Sequence, residues 1–268
     1  GLSLAGEIEC WGCEGAVLEP GHFDGSDAGQ CHDPWGEFVA VEAGNRQTCA
    51  LQPDGQPVCW GCEDDQLNVG QCLPPDESLV LLSAGAYHTC GLTGDGTAHC
   101  WGCRFESPIG AEVPGQCEVP EDRSFVSIAA GYNHTCAVDL SGAPECWGWN
   151  FFDQFGPTSG NFAQVATDEY NSCWRAVDGT VSCFGKADAG VNDAPGGEFA
   201  DVTVGREHAC GLRDDGTVEC WGSGEATVGT DELFSQVSAG HSVTCGVTLE
   251  GEVICWGSSA YGRTTGPG

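Results

Sequence analysis

The chain has 268 residues, and its 40 Asp+Glu against 8 Lys+Arg give a formal net charge of −32 at pH 7. So acidic a chain excludes nucleic acid as a partner, because a phosphate backbone is bound by Lys and Arg that displace its counterions, and it disfavours anionic lipid surfaces. No run approaches the roughly 20 apolar residues of a membrane-spanning helix, so membrane insertion is not expected, and with no charged-then-apolar leader at its start the chain reads as one whose signal peptide has gone.

In chain order, residues 1–37 hold a partial first unit containing Cys10-Trp11, and further units start near Phe38, Leu79, Phe125, Phe162, Phe199 and Phe234. Each unit is 35 to 46 residues long. The clearest copy runs Phe125-Val-Ser-Ile-Ala-Ala-Gly131, then His134-Thr-Cys136, then Glu145-Cys146-Trp147-Gly148. Short alternating runs predict antiparallel strands. Asp54-Gly55, Asp95-Gly96, Asp178-Gly179 and Asp215-Gly216 fall midway between runs, where a hairpin needs residues that tolerate positive φ. No segment has helical periodicity. A three-stranded unit of this size cannot bury both faces alone, so neighbours must stack. Seven copies of Cys-aromatic-Gly then predict an all-β, seven-bladed propeller occupying 1–268 as a single domain, with about 40 residues per repeat.

The runs Leu82-Ser-Ala-Gly85-Ala-Tyr-His88-Thr and Ile128-Ala-Ala-Gly131-Tyr-Asn-His134-Thr resemble the signature of the regulator of chromosome condensation repeat family. Trp147-Gly-Trp-Asn150 with Gln154-Phe-Gly156 is a worn form of another of its elements. The resemblance covers the whole chain and implies a seven-bladed propeller. In repeat length it is nearer the compact secreted bacterial propellers, including the propeller-type β-lactamase inhibitors. The chain departs from the family where Cys follows His-Thr, and where Asp168 replaces the repeat glycine. Nucleotide exchange and chromatin binding do not carry over automatically, since they belong to nuclear members of the family whose features find no place in these residues.

Six cysteine pairs share a ten-residue spacing: Cys49/Cys59, Cys90/Cys100, Cys136/Cys146, Cys173/Cys183, Cys210/Cys220 and Cys245/Cys255. With a turn between them the two members face each other across a hairpin at about 4.5–5.5 Å between Cβ atoms, within reach of a disulfide. A second set, Cys13/Cys31, Cys62/Cys72 and Cys103/Cys117, begins at Cys-Trp-Gly-Cys and reads as bridges across the connections between blades. A redox or zinc reading of these Cys-x-x-Cys runs is set aside, because Cys59 and Cys100 already have hairpin partners upstream and the full repeat explains the runs. This much disulfide predicts an oxidising compartment, hence a secreted or cell-surface protein. Cys10 is the odd residue: the ten-residue rule places its partner at position 0, so it is expected to be unpaired or to bond another chain. The strand equivalent to residues 38–49 is lacking in the partial unit, and is expected either upstream of Gly1 or from a second copy.

His88, His134 and His208 recur two residues before the repeat cysteine and read as structural hydrogen bonders; Gln47, Asn171 and Val243 fill the same place elsewhere. The Cys-Trp-Gly tryptophans read as packing between blades. Trp35, Trp149 and Trp174 fall outside that register, as do Tyr87, Tyr132 and Tyr170 beside the Ala-Gly element, so all six are candidates for a contact surface. No cofactor is expected. Asp24-Gly-Ser-Asp27, Glu63-Asp-Asp65 and Asp188 with Asp193 have calcium-seeking oxygens, but none completes a loop motif. Asn133-His-Thr135 is a glycosylation sequon, and Thr158–Gly160 and Thr264–Pro267 suit O-linked glycan.

No His-Glu-x-x-His, Gly-x-Ser-x-Gly or phosphate loop occurs, so the chain is expected not to be an enzyme. The function expected is a structural or self-assembling extracellular subunit that contacts other proteins or copies of itself. A secreted inhibitor is the alternative, with a polysaccharide-acting enzyme behind it.

Overall fold

A computed structural model describes residues 1–3, 5–11, 34–45, 47–62, 69–103, 115–224, 231–258 and 264. Among them the strands form six three-stranded antiparallel sheets, each in sequence order. Blade 1 is β1 (Ala40–Ala43), β2 (Thr48–Leu51) and β3 (Pro57–Trp60); blade 2 is β4 (Leu79–Ala84), β5 (Thr89–Thr93) and β6 (Ala98–Trp101). Blade 3 is β7 (Phe125–Ala130), β8 (His134–Asp139) and β9 (Pro144–Gly148); blade 4 is β10 (Phe162–Thr167), β11 (Asn171–Ala176) and β12 (Val181–Gly185). Blade 5 is β13 (Asp201–Val204), β14 (His208–Leu212) and β15 (Val218–Gly222); blade 6 is β16 (Phe234–Ala239), β17 (Val243–Thr248) and β18 (Val253–Gly257). The one helical element described is a 3₁₀ turn at Ala187–Ala189, and no helix among these residues is long and apolar enough to cross a membrane.

In blades 1, 2, 4 and 5 the hairpin turn is made by a division of labour between two residues. Glycines 55, 96, 179 and 216 take φ of 85–87°, a left-handed conformation that side chains resist. The aspartate before each glycine keeps a negative φ and turns its carboxylate back onto the chain. Asp178 Oδ1 accepts the Thr180 amide at 3.0 Å, and Asp215 Oδ1 accepts that of Thr217 at 3.0 Å. Bonds from the Thr180 and Thr217 hydroxyls, at 2.7 and 2.6 Å, and then these amide bonds favour the charged form and hold both carboxyls below the usual range.

The turns also join the blades. The carbonyls of Gly55, Gly96, Gly142, Gly179 and Gly216 each accept, at 2.8 Å, the amide that opens the next blade, from Leu79, Phe125, Phe162, Phe199 and Phe234 respectively. Gly6 does the same for Phe38, beside an isolated bridge between Leu2 and Ile8. Residues 1–3 and 5–11 therefore pack on blade 1 as a blade edge would, and Cys10, half-buried, lies against Ile8, Phe38 and Ala50.

The core is not one central mass. Its clusters each lie at a junction between successive blades: Cys49 and Leu51 against Leu79 and Trp101, Cys90 and Leu92 against Phe125 and Trp147, Cys210 and Leu212 against Phe234. A blade thus buries its apolar faces only when both neighbours are present, as stacked repeats require.

Eight disulfides link described cysteines. Six close hairpins: Cys49–Cys59, Cys90–Cys100, Cys136–Cys146, Cys173–Cys183, Cys210–Cys220 and Cys245–Cys255, with Cα atoms 4.0–4.1 Å apart. Each joins residues directly opposite in the ladder, as Cys173 is to Cys183. Cys62–Cys72 and Cys103–Cys117 close connections, at 6.0 and 6.1 Å. Cys13 and Cys31 lie outside the described residues.

One expectation is overturned. Trp174, read as a contact residue, is fully buried. It occupies the place after the repeat cysteine, where other blades carry Ala50, Gly91, Ala137, Gly211 or Gly246, and there it packs 5.4 Å from Phe162. The cause is an exchange across the strand pair: blade 4 has Phe184 where other blades have tryptophan, and the indole enters from β11 instead.

Candidate functional site

The blades have two ends. One carries the Asp-Gly turns; the other carries the loops that follow the repeat glycine, at 85–88, 131–134 and 168–171. At this second end the glycine is needed for close approach. A Cβ on Gly85 would strike the Gly131 carbonyl, and one on Gly131 would strike the His134 ring. The backbones meet there, with Ala86 N donating to Gly131 O at 3.2 Å.

Beneath these loops the residue two before the repeat cysteine reaches the next blade. Gln47 Nε2 donates to Gly85 O at 3.1 Å and to Thr89 Oγ1 at 3.4 Å. His88 Nε2 pairs with Thr135 Oγ1 at 2.9 Å, and His208 Nε2 with Thr244 Oγ1 at 2.8 Å. Burial pushes His88 down to about 3, and His134 and His208 down to about 4. His88 and His208 are neutral, buried fasteners between blades, and His134 is a neutral ring buried in the same place. The ring nitrogens of His134 have no hydrogen-bond partner among the described residues, because blade 4 offers Ser172 in place of threonine. Ser172 Oγ donates to Gln154 O at 2.6 Å and receives the Trp174 indole at 2.9 Å.

On top of the fasteners, Tyr87, Tyr132 and Tyr170 come from three successive blades and touch in series. Tyr87 and Tyr132 lie edge to face at 5.2 Å with their hydroxyls 3.2 Å apart; Tyr132 and Tyr170 are 6.1 Å apart. Burial and the bond to Tyr87 hold the Tyr132 phenol well above its ordinary value. The connection after β9 adds Trp149, 6.2 Å from Tyr170 and stacked at 5.7 Å on Phe151, with Phe152 5.2 Å from Tyr170. Gln154, wholly buried, fixes this loop from below. Its Oε1 accepts the Phe152 amide at 2.9 Å and its Nε2 donates to Trp149 O at 2.8 Å. The result is a preorganised aromatic ridge whose outermost member, Phe151, is 74% exposed.

Charges border the ridge. Lys186 lies 5.8 Å above Tyr170 and pairs with Asp188 at 2.8 Å. Arg206 pairs with Glu169 at 3.0 Å and meets His241 at 2.9 Å. Asp168 is pushed up to about 7, first by burial and then by the charge of Glu169.

Of the six contact candidates, four (Tyr87, Tyr132, Trp149 and Tyr170) come together. Trp35 is fully exposed but precedes Phe38, at the Asp-Gly end of the blades. Trp174 is core. Phe151 and Phe152 were missed; the aromatic doublet directly after Trp149-Asn150 was the available signal. Of the calcium candidates, Asp188 is engaged by Lys186, and 24–27 and 63–65 lie outside the described residues. Among described residues no three His, Cys, Asp or Glu side chains gather as a metal site would require. Asn133 is half-buried in the ridge loop, its carbonyl accepting the Trp149 amide at 2.8 Å.

Antiparallel blades stacked through junction cores, stapled by cross-strand disulfides and presenting loops at one end, define a β-propeller. The Regulator of chromosome condensation (RCC1) repeat profile matches residues 80–103, 199–226 and 234–263. The chain thus carries this repeat in three places, and its described blades have the propeller architecture. Among solved structures, it resembles the ectodomain of the Physcomitrella patens receptor kinase CR4 at 27% identity and a TM-score of 0.67, over 83% of this chain and 64% of that one. It thus spans under two thirds of that ectodomain. The Arabidopsis thaliana ACR4 ectodomain matches at 20% identity and a TM-score of 0.64, over 81% and 83% of the two chains. Yeast RCC1 (Prp20), solved bound to Kap60, matches at 16% and 0.71, over 87% and 72%. No curated protein sequence matches the chain. The fold is a scaffold suited to protein interaction.

Proposed function

We propose that the protein is a non-catalytic extracellular propeller that docks a protein partner, or a second copy of itself, on the aromatic ridge of Tyr87, Tyr132, Trp149, Phe151, Phe152 and Tyr170. The observation that carries this is the convergence of out-of-register aromatics from three blades on one end of the molecule, ending in an exposed Phe151 stacked on Trp149. Rigid aromatic anchors surrounded by polar groups are what protein interfaces are built on. The disulfide in every described blade supports an oxidising compartment, and two of the similar folds are ectodomains of receptor kinases. The net charge of −32 favours fast encounter with a cationic partner.

The test compares wild type with Phe151→Ala and Trp149→Ala. Phe151→Ala leaves the melting temperature within about 0.5 kcal/mol equivalent of wild type, as exposed sites do. It weakens by tenfold or more the capture of a secreted protein on immobilised propeller, or self-association by sedimentation. Wild type that is monomeric at high concentration and retains nothing that Phe151→Ala loses would sink the reading.

A further inference from the structure

We propose that Tyr87 and Tyr132 form an oxidative cross-linking site, at which a haem peroxidase with hydrogen peroxide converts the two side chains into a dityrosine that bolts blade 2 to blade 3. Three features of the molecule carry this. The hydroxyls are 3.2 Å apart and the rings 5.2 Å apart at 81°, so the ortho carbon of each ring, one bond from its phenolic carbon, lies in the same contact. Both side chains are half-buried, held in position yet open at the surface to electron transfer and to the small rotation that coupling needs. Finally, three of the chain's four tyrosines stand in this one ridge, and each described disulfide closes either a hairpin or a single connection. The tyrosine pair is placed to add a side-chain covalent link between two blades.

The chemistry balances with peroxide as the only oxidant. Each phenol loses one electron and one proton to give a phenoxyl radical. The radicals join through their ortho carbons, and the hydrogen on each joined carbon moves to its own oxygen, restoring both rings. The two electrons and two protons reduce hydrogen peroxide to two waters. The proton each phenol gives up passes to solvent at the open face of the pair and ends in the water formed from peroxide, while the hydroxyl contact holds the two rings together for coupling. Tyr170, at 6.1 Å from Tyr132 and without a hydroxyl contact to it, is the built-in comparison.

The experiment treats the purified, folded protein with a haem peroxidase and hydrogen peroxide, at a concentration where free tyrosine couples in a parallel tube. Expected is a monomer lighter by two hydrogens with dityrosine fluorescence. After reduction and trypsin, fragment 47–104 is joined to 124–175, with tandem mass spectrometry placing the bond at 87 and 132. Tyr87→Phe and Tyr132→Phe each abolish the intramolecular product while keeping the wild-type disulfide map and melting temperature; Tyr170→Phe retains it. A bond placed at Tyr170, dityrosine found only between chains, or wild type left unchanged while free tyrosine couples would each overturn the proposal.

Discussion

In blade 5 the Phe199 ring packs 6.0 Å from Trp221, and Gly211 leaves room for it; a Cβ there would strike the Phe199 ring. In blade 4 Phe162 packs 5.4 Å from Trp174, which stands at the glycine's position, while Phe184 stands where Trp221 does. The same two blades differ at the loop. Blade 5 has Gly205 over His208, whose ring a Cβ on the glycine would hit; blade 4 has Asp168 over Asn171. In both places a larger residue at one position goes with a smaller one at its neighbour. What the repeat preserves is the filled volume at each junction, because close-packed interiors respond to single methylenes, and not the identity of any one position.

This account breaks or sharpens most clearly at the loop. Gly205→Asp should destabilise by about 4 kcal/mol or more, through collision with the Gly240 carbonyl and the His208 ring. Adding His208→Asn, which recreates blade 4, should recover a measurable part in denaturant unfolding. A double variant no more stable than the single would show that Asp168 and Asn171 are not a matched pair.

Next comes the core exchange. Trp174→Ala should cost about 3–5 kcal/mol, the usual price of emptying a buried aromatic site. Combining it with Phe184→Trp rebuilds the arrangement of blades 1 and 3, which carry Ala50 and Ala137 at that position. The pair should lie closer to wild type than the sum of the single variants, and simple additivity would refute the exchange.

The smallest effect is the response to acid. His88, His134 and His208 are neutral when folded, with values of about 3 to 4 against 6.5 unfolded. The unfolded chain therefore binds more protons below pH 6.5, and stability falls as pH drops, by about 1.4 kcal/mol per pH unit for each histidine. Asp168 and Glu42 act in the opposite sense: their values, each raised to about 7, mean the folded chain takes up those protons first as pH falls below neutral. Three histidines against two carboxyls leave a small net acid loss between pH 6 and 4. His208→Gln copies Gln47 of blade 1, which makes the same reach without a titrating ring, and should flatten the loss in a series of thermal melts. An unchanged slope would remove His208 from the account.

Much of this was legible beforehand for a simple reason. A ten-residue cysteine interval around an Asp-Gly turn is local, and a hairpin fixes which residues face each other within that distance. Strands, turns, rungs and junction tryptophans all follow from such short intervals. The aromatic ridge was only half legible. Tyr87, Tyr132 and Tyr170 stand out because they sit beside a landmark in each repeat. Trp174 stood out for the same reason yet is core, since being out of register says that a residue departs from the pattern and not which way it departs.

The chain by itself determined that each described three-stranded blade forms on one plan and is locked by its own hairpin disulfide, because those interactions lie within about twenty residues of each other. Only the stacking of blades decided which irregular aromatics are buried and which meet at the surface. Tyr87 and Tyr132 are 45 positions apart, and Trp174 fills a space left by a different strand. Contacts across a junction depend on the shape that two blades make together, and no spacing along one chain encodes that shape.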